Sequence, residues 1–390
     1  NSQPNFLQAQ AGLGKTYGYL LPLLAHCQEK IVVSVPTKIL QDQIATGEGK
    51  AIEKVFQIAF HSLKSPKSYI KLDAFFQSLE RLDDNRLLNR CKMQLLVWLT
   101  ETETGDLEEI GQAHRYQAFF EELGHDGQLS KKSLFYGVDF WQIGQEKARE
   151  SRVLLTNHAY LLTRLEDDKS LIEGRILVVD EAQKLFLALE SFSQKSLKMT
   201  QLLQTIQQEV LRVDSLLERR LLESLQFELS QLVEVFHGEK TSEVGERTLL
   251  RLRQDLSELP VHYLPELREL LDPRYEQFWL EDEYFEQYRV TSLHAARLSL
   301  MNFQDFLPDK ARLFFISATL EISRKVNLAQ LLGFADYQSY HLPAKNHHQQ
   351  RIWVDKDFPD LLDLPLARHA QLIADRIENL QSLNLPILVL

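Results

Sequence analysis

The 390-residue sequence predicts an α/β protein built on a parallel β-sheet. Three observations predict it. Apolar runs of four or five residues recur without polar alternation, as strands covered on both faces require. The first two runs are each followed by a turn and a helical pattern, the sequence form of a βα unit. The turn after the first run is Ala9-Gln10-Ala11-Gly12-Leu13-Gly14-Lys15-Thr16, a Gly-rich loop in the strand–turn–helix setting that phosphate binding needs.

In chain order, Asn5-Phe6-Leu7 reads as a short buried strand, and the run from Tyr17 to Leu24 as the body of a helix. Gly12 and Gly14 let the loop backbone bend so that its N–H groups converge on one anion, at a helix N-terminus whose dipole favours negative charge. Lys15 is then placed to reach β- and γ-phosphates, and the Thr16 hydroxyl to bind Mg²⁺. ATP and Mg²⁺ are therefore expected, with Ala11, Gly12, Leu13, Gly14, Lys15 and Thr16 as the nucleotide contacts. Ala9 stands where the loop pattern has its first Gly, at a position that needs a small residue more than a positive φ.

Ile31-Val32-Val33-Ser34-Val35 is the next strand, followed by Pro36-Thr37-Lys38 and a helix from Ile39. Val153 to Thr156, Ile176 to Val179 and Leu313 to Ile316 fit the same sheet. Asp180-Glu181-Ala182-Gln183 follows the fourth run directly. A strand ending in Asp-Glu downstream of a phosphate loop supplies the second carboxylate site: Asp180 to hold Mg²⁺, Glu181 to orient and deprotonate an attacking water.

Two segments interrupt the sheet pattern. Residues 61–150 are helical in texture, with Lys64, Lys67, Lys71, Arg81, Arg86, Arg90 and Lys92 early and Glu101, Glu103, Asp106, Glu108 and Glu109 later. In residues 186–278 a stripe from Leu203 to Phe236 steps by threes and fours, which predicts one long amphipathic helix. A second helix is expected to run back from about Glu246 to Leu259, forming a helical hairpin; a dimeric coiled coil is the alternative use of the stripe. From Ala329 a fresh α/β unit is expected, with strands at Arg351–Val354 and Ile387–Leu390 around a helix from Leu364 to Leu383.

Composition narrows the class. Hydrophobic residues make up 44% and charged residues 25%, as in a globular protein. No apolar run is long enough to span a bilayer, and the first residues show no secretory pattern. Two Cys argue against a disulfide framework and fit a reducing cytoplasm. The net charge of −11 excludes a surface that is a nucleic-acid footprint throughout, but not a local basic groove. The chain starts at Asn1 and stops inside an apolar run, so a fragment of a longer protein is expected.

Taken together, Ala9 to Thr16, Asp180-Glu181-Ala182-Gln183, Ser317-Ala318-Thr319-Leu320, Val35 to Gln43 and Leu155-Thr156-Asn157-His158-Ala159 resemble the DinG/XPD-like superfamily 2 DNA helicases, the bacterial DinG-like branch in particular. The resemblance implies a RecA-like domain 1 made of residues 1–60, 151–185 and 279–328. It implies an insert at the iron–sulfur-domain position (61–150), an arch-like insert (186–278) and the start of RecA-like domain 2 (329–390). It implies a monomeric cytoplasmic ATPase moving 5′→3′ on single-stranded DNA in repair or replication. Lys15, Asp180, Glu181 and Gln183 would be catalytic, and Ser317 and Thr319 would couple hydrolysis to movement. Thr37, Lys38 and Gln41 are expected DNA contacts by motif match. Lys64, Lys67, Tyr69 and Lys71 are expected from their mixed basic and aromatic texture. Gln183 replaces the usual His, and can hydrogen-bond without carrying charge. Lys71 stands where the first cluster cysteine would be. Cys91 alone cannot hold a cluster that takes four thiolates, so none is expected. The alternative is a DNA-binding, ATP-responsive regulatory module attached to a 3′→5′ exonuclease domain upstream, with little or no unwinding.

Overall fold

The structure, a computed structural model, describes residues 3–10, 12–81, 85–111, 116–236, 241–285, 288–298, 302–308, 311–323, 326–342 and 365–381. The chain divides into two units, residues 1–343 and 344–390. In the second unit the described element is the helix Leu366–Gln381, within the span expected for it. The strands expected at Arg351–Val354 and Ile387–Leu390 lie outside the described residues.

In chain order the strands are β1 (Asn5–Gln8), β2 (Ile31–Val35), β3 (Phe60–Ser62), β4 (Val153–Asn157), β5 (Ile176–Asp180), β6 (Gln194–Lys198) and β7 (Thr241–Glu243). They continue as β8 (Gln277–Phe285), β9 (Tyr288–Ala296), β10 (Arg312–Ser317), β11 (Glu321–Ser323), β12 (Val326–Asn327) and β13 (Gln338–His341). Seven of them form a parallel sheet in the order β13-β1-β10-β5-β2-β4-β3. The apolar runs lack alternation because both faces are covered. Phe6, Val32, Leu154, Leu177, Val179 and Phe315 point into one core layer, and Ile31, Val33, Val153, Leu155, Ile176 and Val178 into the other. Each such side chain, fully buried, stabilises by roughly 1.5–3 kcal/mol before its ordering entropy is subtracted. Phe6 and Phe315 add a stacked ring pair, centroids 4.5 Å apart, that ties β1 to β10.

The strand order decides which loops meet. All seven strands run the same way, so the loops after β1, β10, β5, β2 and β4 open at one edge, where ligands of open α/β sheets bind. β1, β10 and β5 are neighbours although they lie far apart in sequence. The phosphate loop, Ser317 and the Asp180-Glu181 turn are thereby brought side by side.

Three expectations about organisation need correction. The second segment is not a helical hairpin alone: between Gln194 and Ala296 it contains an antiparallel sheet in the order β6-β9-β8-β7. The insert boundary at 186 moves because the helix Ala182–Ser193 packs Leu185 and Leu189 into the central core. The boundary at 278 moves because β8 and β9 pair along nine residues and β9 returns against β6, Gln194 opposite Ala296. The single helix expected from Leu203 to Phe236 is two, Met199–Arg212 and Leu216–Val235. Val213 has an extended backbone between them, and Ser215 caps the second helix by accepting from Glu218 N–H at 3.4 Å. Residues 329–342 belong with the first unit, because β13 pairs with β1, Asn5 opposite Gln338.

The insert at 61–150 has its own small core of Ile70, Phe75, Cys91, Leu95, Leu107, Phe120 and Leu123. Cys91 is buried there, and burial pushes its thiol pKa up. Lys71 precedes the helix Leu72–Glu80 and pairs with Asp126 at 2.6 Å. Among the described residues no group of three or more His, Cys, Asp or Glu side chains is arranged to hold a metal.

Candidate active site

The phosphate loop leaves β1 and enters the helix Lys15–His26. Gly12 (φ 79°) and Gly14 (φ 70°) both take left-handed backbone, which side-chain-bearing residues rarely adopt, and each opens into free space. Ala9 is buried, and its N–H donates to Ser317 O at 2.9 Å, locking the ends of β1 and β10 together. Leu13 is exposed at the loop tip. Ala11 lies outside the described residues.

Four side chains from three motifs join in one line. The Lys15 ammonium is ion-paired with Glu181 Oε1. Gln183 Nε2 donates to Glu181 Oε2 at 2.6 Å. Ser317 Oγ donates to Gln183 Oε1 at 2.6 Å, and Thr319 N–H donates back to Ser317 Oγ at 3.0 Å. Gln183 thus uses its amide in both senses, as donor to a carboxylate and acceptor from a hydroxyl. A neutral imidazole could divide those roles between its two nitrogens, but an imidazolium could not accept at all.

Asp180 and Glu181 sit in different environments. Asp180 is 4% exposed, its Oδ1 accepting from Glu181 N–H at 2.9 Å and its Oδ2 from the Tyr19 hydroxyl at 3.3 Å. Burial raises the Asp180 pKa above the ordinary carboxylate value, against the opposing pull of Lys15. For Glu181 burial also acts upward, but the hydrogen bonds from Lys15 and Gln183 outweigh it and the pKa lies below the usual value. Glu181 also holds a left-handed backbone (φ 51°, ψ 51°), a strain of roughly 1–2 kcal/mol for a non-glycine residue. Tyr19 carries no motif that assigns it to this site. It stands four residues after Lys15, one helical turn on, which puts both on one helix face beside Asp180.

The residues expected to meet DNA divide. Thr37 is exposed and caps the helix Lys38–Ile44, accepting from Leu40 N–H at 3.2 Å. Lys38 is part-exposed and pairs with Glu108 at 2.7 Å. Lys67 is exposed, and Lys71 is part-exposed. Gln41, Lys64 and Tyr69 are interior groups, which corrects the expectation for them. Gln41 is wholly buried, its amide donating to Leu63 O and Ser62 Oγ, each at 3.0 Å. Lys64 is 4% exposed and surrounded by Asp106 (2.6 Å), Asp42 (2.8 Å) and Glu108 (3.0 Å). Burial acts to lower its pKa, but those carboxylates hold it well above the usual lysine value. Tyr69 packs on Trp141, and its hydroxyl accepts from Lys64 N–H at 3.1 Å. The sequence shows the lysine run but not the acidic partners that fold over it from residues 42 and 106–108.

Comparison with known proteins gives these positions a context. Residues 2–98 match the family model described as DEAD/DEAH box helicase. The chain is similar to "3'-5' exonuclease DinG" of Bacillus subtilis, 33% identical over 189 residues, covering 47% of this chain and 20% of that protein. It is also similar to the protein of the same description from Staphylococcus saprophyticus, 30% identical over 190 residues, covering 47% and 21%. The matched stretch thus spans about a fifth of these curated relatives. Among solved structures, "Truncated XPD" shares the fold, with a TM-score of 0.52 and 16% identity over 88% of this chain and 96% of that one. Over the matched stretches the chain is similar to DEAD/DEAH box helicases and to DinG proteins. Its seven-stranded parallel sheet with two insertions is a RecA-like arrangement, the fold it shares with that structure. No described helix is long and apolar enough to cross a membrane.

Proposed function

We propose that this chain carries the ATP-hydrolysing site of a cytoplasmic, monomeric DinG-type helicase that couples Mg-ATP hydrolysis to 5′→3′ movement on single-stranded DNA, in repair or replication. The observation that carries the reading is the unbroken line Lys15–Glu181–Gln183–Ser317 across three separated motifs. In this reading the backbone from Gly12 to Thr16 cradles the phosphates, with Ala11 and Leu13 in the same loop, and Lys15 leaves Glu181 for the β- and γ-phosphates. Thr16 and Asp180 are the groups suited to Mg²⁺, which would neutralise phosphate charge; the buried, partly desolvated Asp180 carboxylate fits a cation. Glu181 takes the proton of the water that attacks the γ-phosphorus as the bond to the bridging oxygen breaks. Gln183, Ser317 and Thr319 then sense the change at Glu181 and pass it to β10. Thr37, Lys38, Lys67 and Lys71 remain the DNA contacts, as side chains that reach solvent.

Phosphate release by the full-length protein should rise with single-stranded DNA. A duplex with a 5′ single-stranded tail should be unwound and one with a 3′ tail left intact. Hydrolysis indifferent to DNA, or unwinding from the 3′ tail alone, would count against the proposal. A second reading is favoured by the descriptions of both relatives as 3'-5' exonucleases. In it the chain is an ATP-responsive DNA-binding module serving an attached 3′→5′ exonuclease domain; ATP-dependent cleavage without unwinding is its signature.

The insert at 61–150 is proposed to work without an iron–sulfur cluster. Cys91 is a buried core thiol, and Lys71 holds Asp126 where a first ligand would be needed. Protein purified without oxygen should therefore carry no iron or acid-labile sulfide. Stoichiometric amounts of both would overturn this.

A further inference from the structure

Asn157 and His158, at the end of β4, sit between the proposed DNA-facing helix and the proposed catalytic turn. On one side Asn157 Nδ2 donates to Gln41 Oε1 at 3.1 Å. Gln41 belongs to the helix Lys38–Ile44, whose first residue is Lys38 and whose cap is Thr37. Asn157 Oδ1 meanwhile accepts from Tyr160 N–H at 3.0 Å and caps the helix His158–Asp167. The helix bearing Lys38 is thus fastened to the helix His158–Asp167 through two buried amides.

His158 continues the line inward. Its ring is wholly buried, with Nδ1 2.7 Å from Ser34 Oγ. Ser34 lies on β2, paired with Thr156 of β4 on one side and Val179 of β5 on the other. Nε2 is buried without a hydrogen-bond partner, and the backbones of Asp180 and Glu181 are near enough to act on the ring. When Ser34 donates to Nδ1, the ring proton sits on Nε2, on the side of the ring left without a partner. Burial keeps the ring neutral, its pKa lowered to about 3. Glu181 is the residue with left-handed backbone, so the group beneath it bears on a strained turn.

We propose that His158 is a positioning residue that links the Lys38–Ile44 helix to the Asp180-Glu181 turn, so that DNA at the first and nucleotide at the second favour one another. The inference rests on the reading above that Lys38 meets DNA and Glu181 works on ATP. Neither ligand touches His158, which acts through Ser34, Asn157 and the Asp180-Glu181 backbone.

The test is the coupling between the two ligands, which must be the same measured from either side. Affinity for Mg-ATPγS is measured on the full-length protein with and without saturating oligo-dT. The wild type should bind nucleotide roughly 5- to 100-fold tighter with oligo-dT, the usual range for coupled sites. His158→Leu fills the space without polar atoms; it should keep both separate affinities and lose the coupling. His158→Gln, which can accept from Ser34 and donate toward the Asp180-Glu181 backbone, should retain it. Ser34→Ala should weaken it, and removes so little that folding is not at issue if His158→Leu fails to fold. Equal coupling in the Leu, Gln and wild-type proteins would overturn the proposal, as would a wild type that binds both ligands independently. A wild type that binds no Mg-ATPγS, or no oligo-dT, would instead overturn the functional reading on which this one rests.

Discussion

Lys15→Ala should lower DNA-stimulated ATP hydrolysis by roughly 10²- to 10³-fold, the cost of losing one preorganised donor to a developing phosphate charge. Lys15 is the first residue of its helix and belongs to none of the core layers. Its partner in the structure is Glu181. Without Lys15 the upward effect of burial on Glu181 is opposed chiefly by Gln183, and the Glu181 pKa should rise. The base then loses charge as the phosphates lose their cation, so binding and chemistry fail together. The fold should persist, because the helix keeps Tyr19, Leu20 and Leu23 in the interior. Lys15→Arg should rescue poorly, since a planar fork does not replace a compact point charge. Phosphate release at the wild-type rate in Lys15→Ala would refute the assignment of this loop.

Much of this site is legible in the sequence because each motif is local. The loop needs Gly12 and Gly14 within a few residues of Lys15, and Asp180-Glu181 needs only a strand before it. The central strands are legible for a related reason, since runs such as Ile31–Val35 are apolar on both faces. What escapes is set by partners distant in the chain. β3 is three residues, Phe60-His61-Ser62, and β13 is Gln-Ser-Tyr-His on an exposed edge, so neither has an apolar run to announce it. β8 and β9 belong to an antiparallel sheet, and β8 sets Gln277, Glu281 and Glu283 opposite its buried face, which dilutes the strand signal in a segment otherwise helical. Lys64 looks like a surface cation until Asp42, Asp106 and Glu108 arrive from other elements. Gln41 looks like a motif contact until Leu63, Ser62 and Asn157 take up its amide. The role of Gln183 is of the same kind: that it hydrogen-bonds Ser317 follows from β5 and β10 being neighbours, which their separation in sequence does not state.

Glu181→Gln should divide binding from chemistry where Lys15→Ala damages both. Removing a general base typically costs roughly 10²- to 10⁴-fold in rate, and hydrolysis should fall by that order. ATP affinity should hold or improve. In the structure Lys15 is held by Glu181, with their side chains 11% and 23% exposed, so the pair is shielded from full solvent screening. Lys15 must give up that partner to reach a phosphate, and the free energy of the pair is subtracted from nucleotide binding. The amide in Glu181→Gln is neutral and holds Lys15 less tightly, while its oxygen can still accept from Gln183, so the line to Ser317 survives. The measurement is a pair of numbers on one variant: Mg-ATP affinity under conditions without turnover, and single-turnover hydrolysis with oligo-dT. Tight binding with slow hydrolysis is the expected result. Hydrolysis at the wild-type rate would remove Glu181 from the role of base. Affinity that falls in step with the rate would mean that Glu181 supports the nucleotide-binding state rather than competing with it for Lys15.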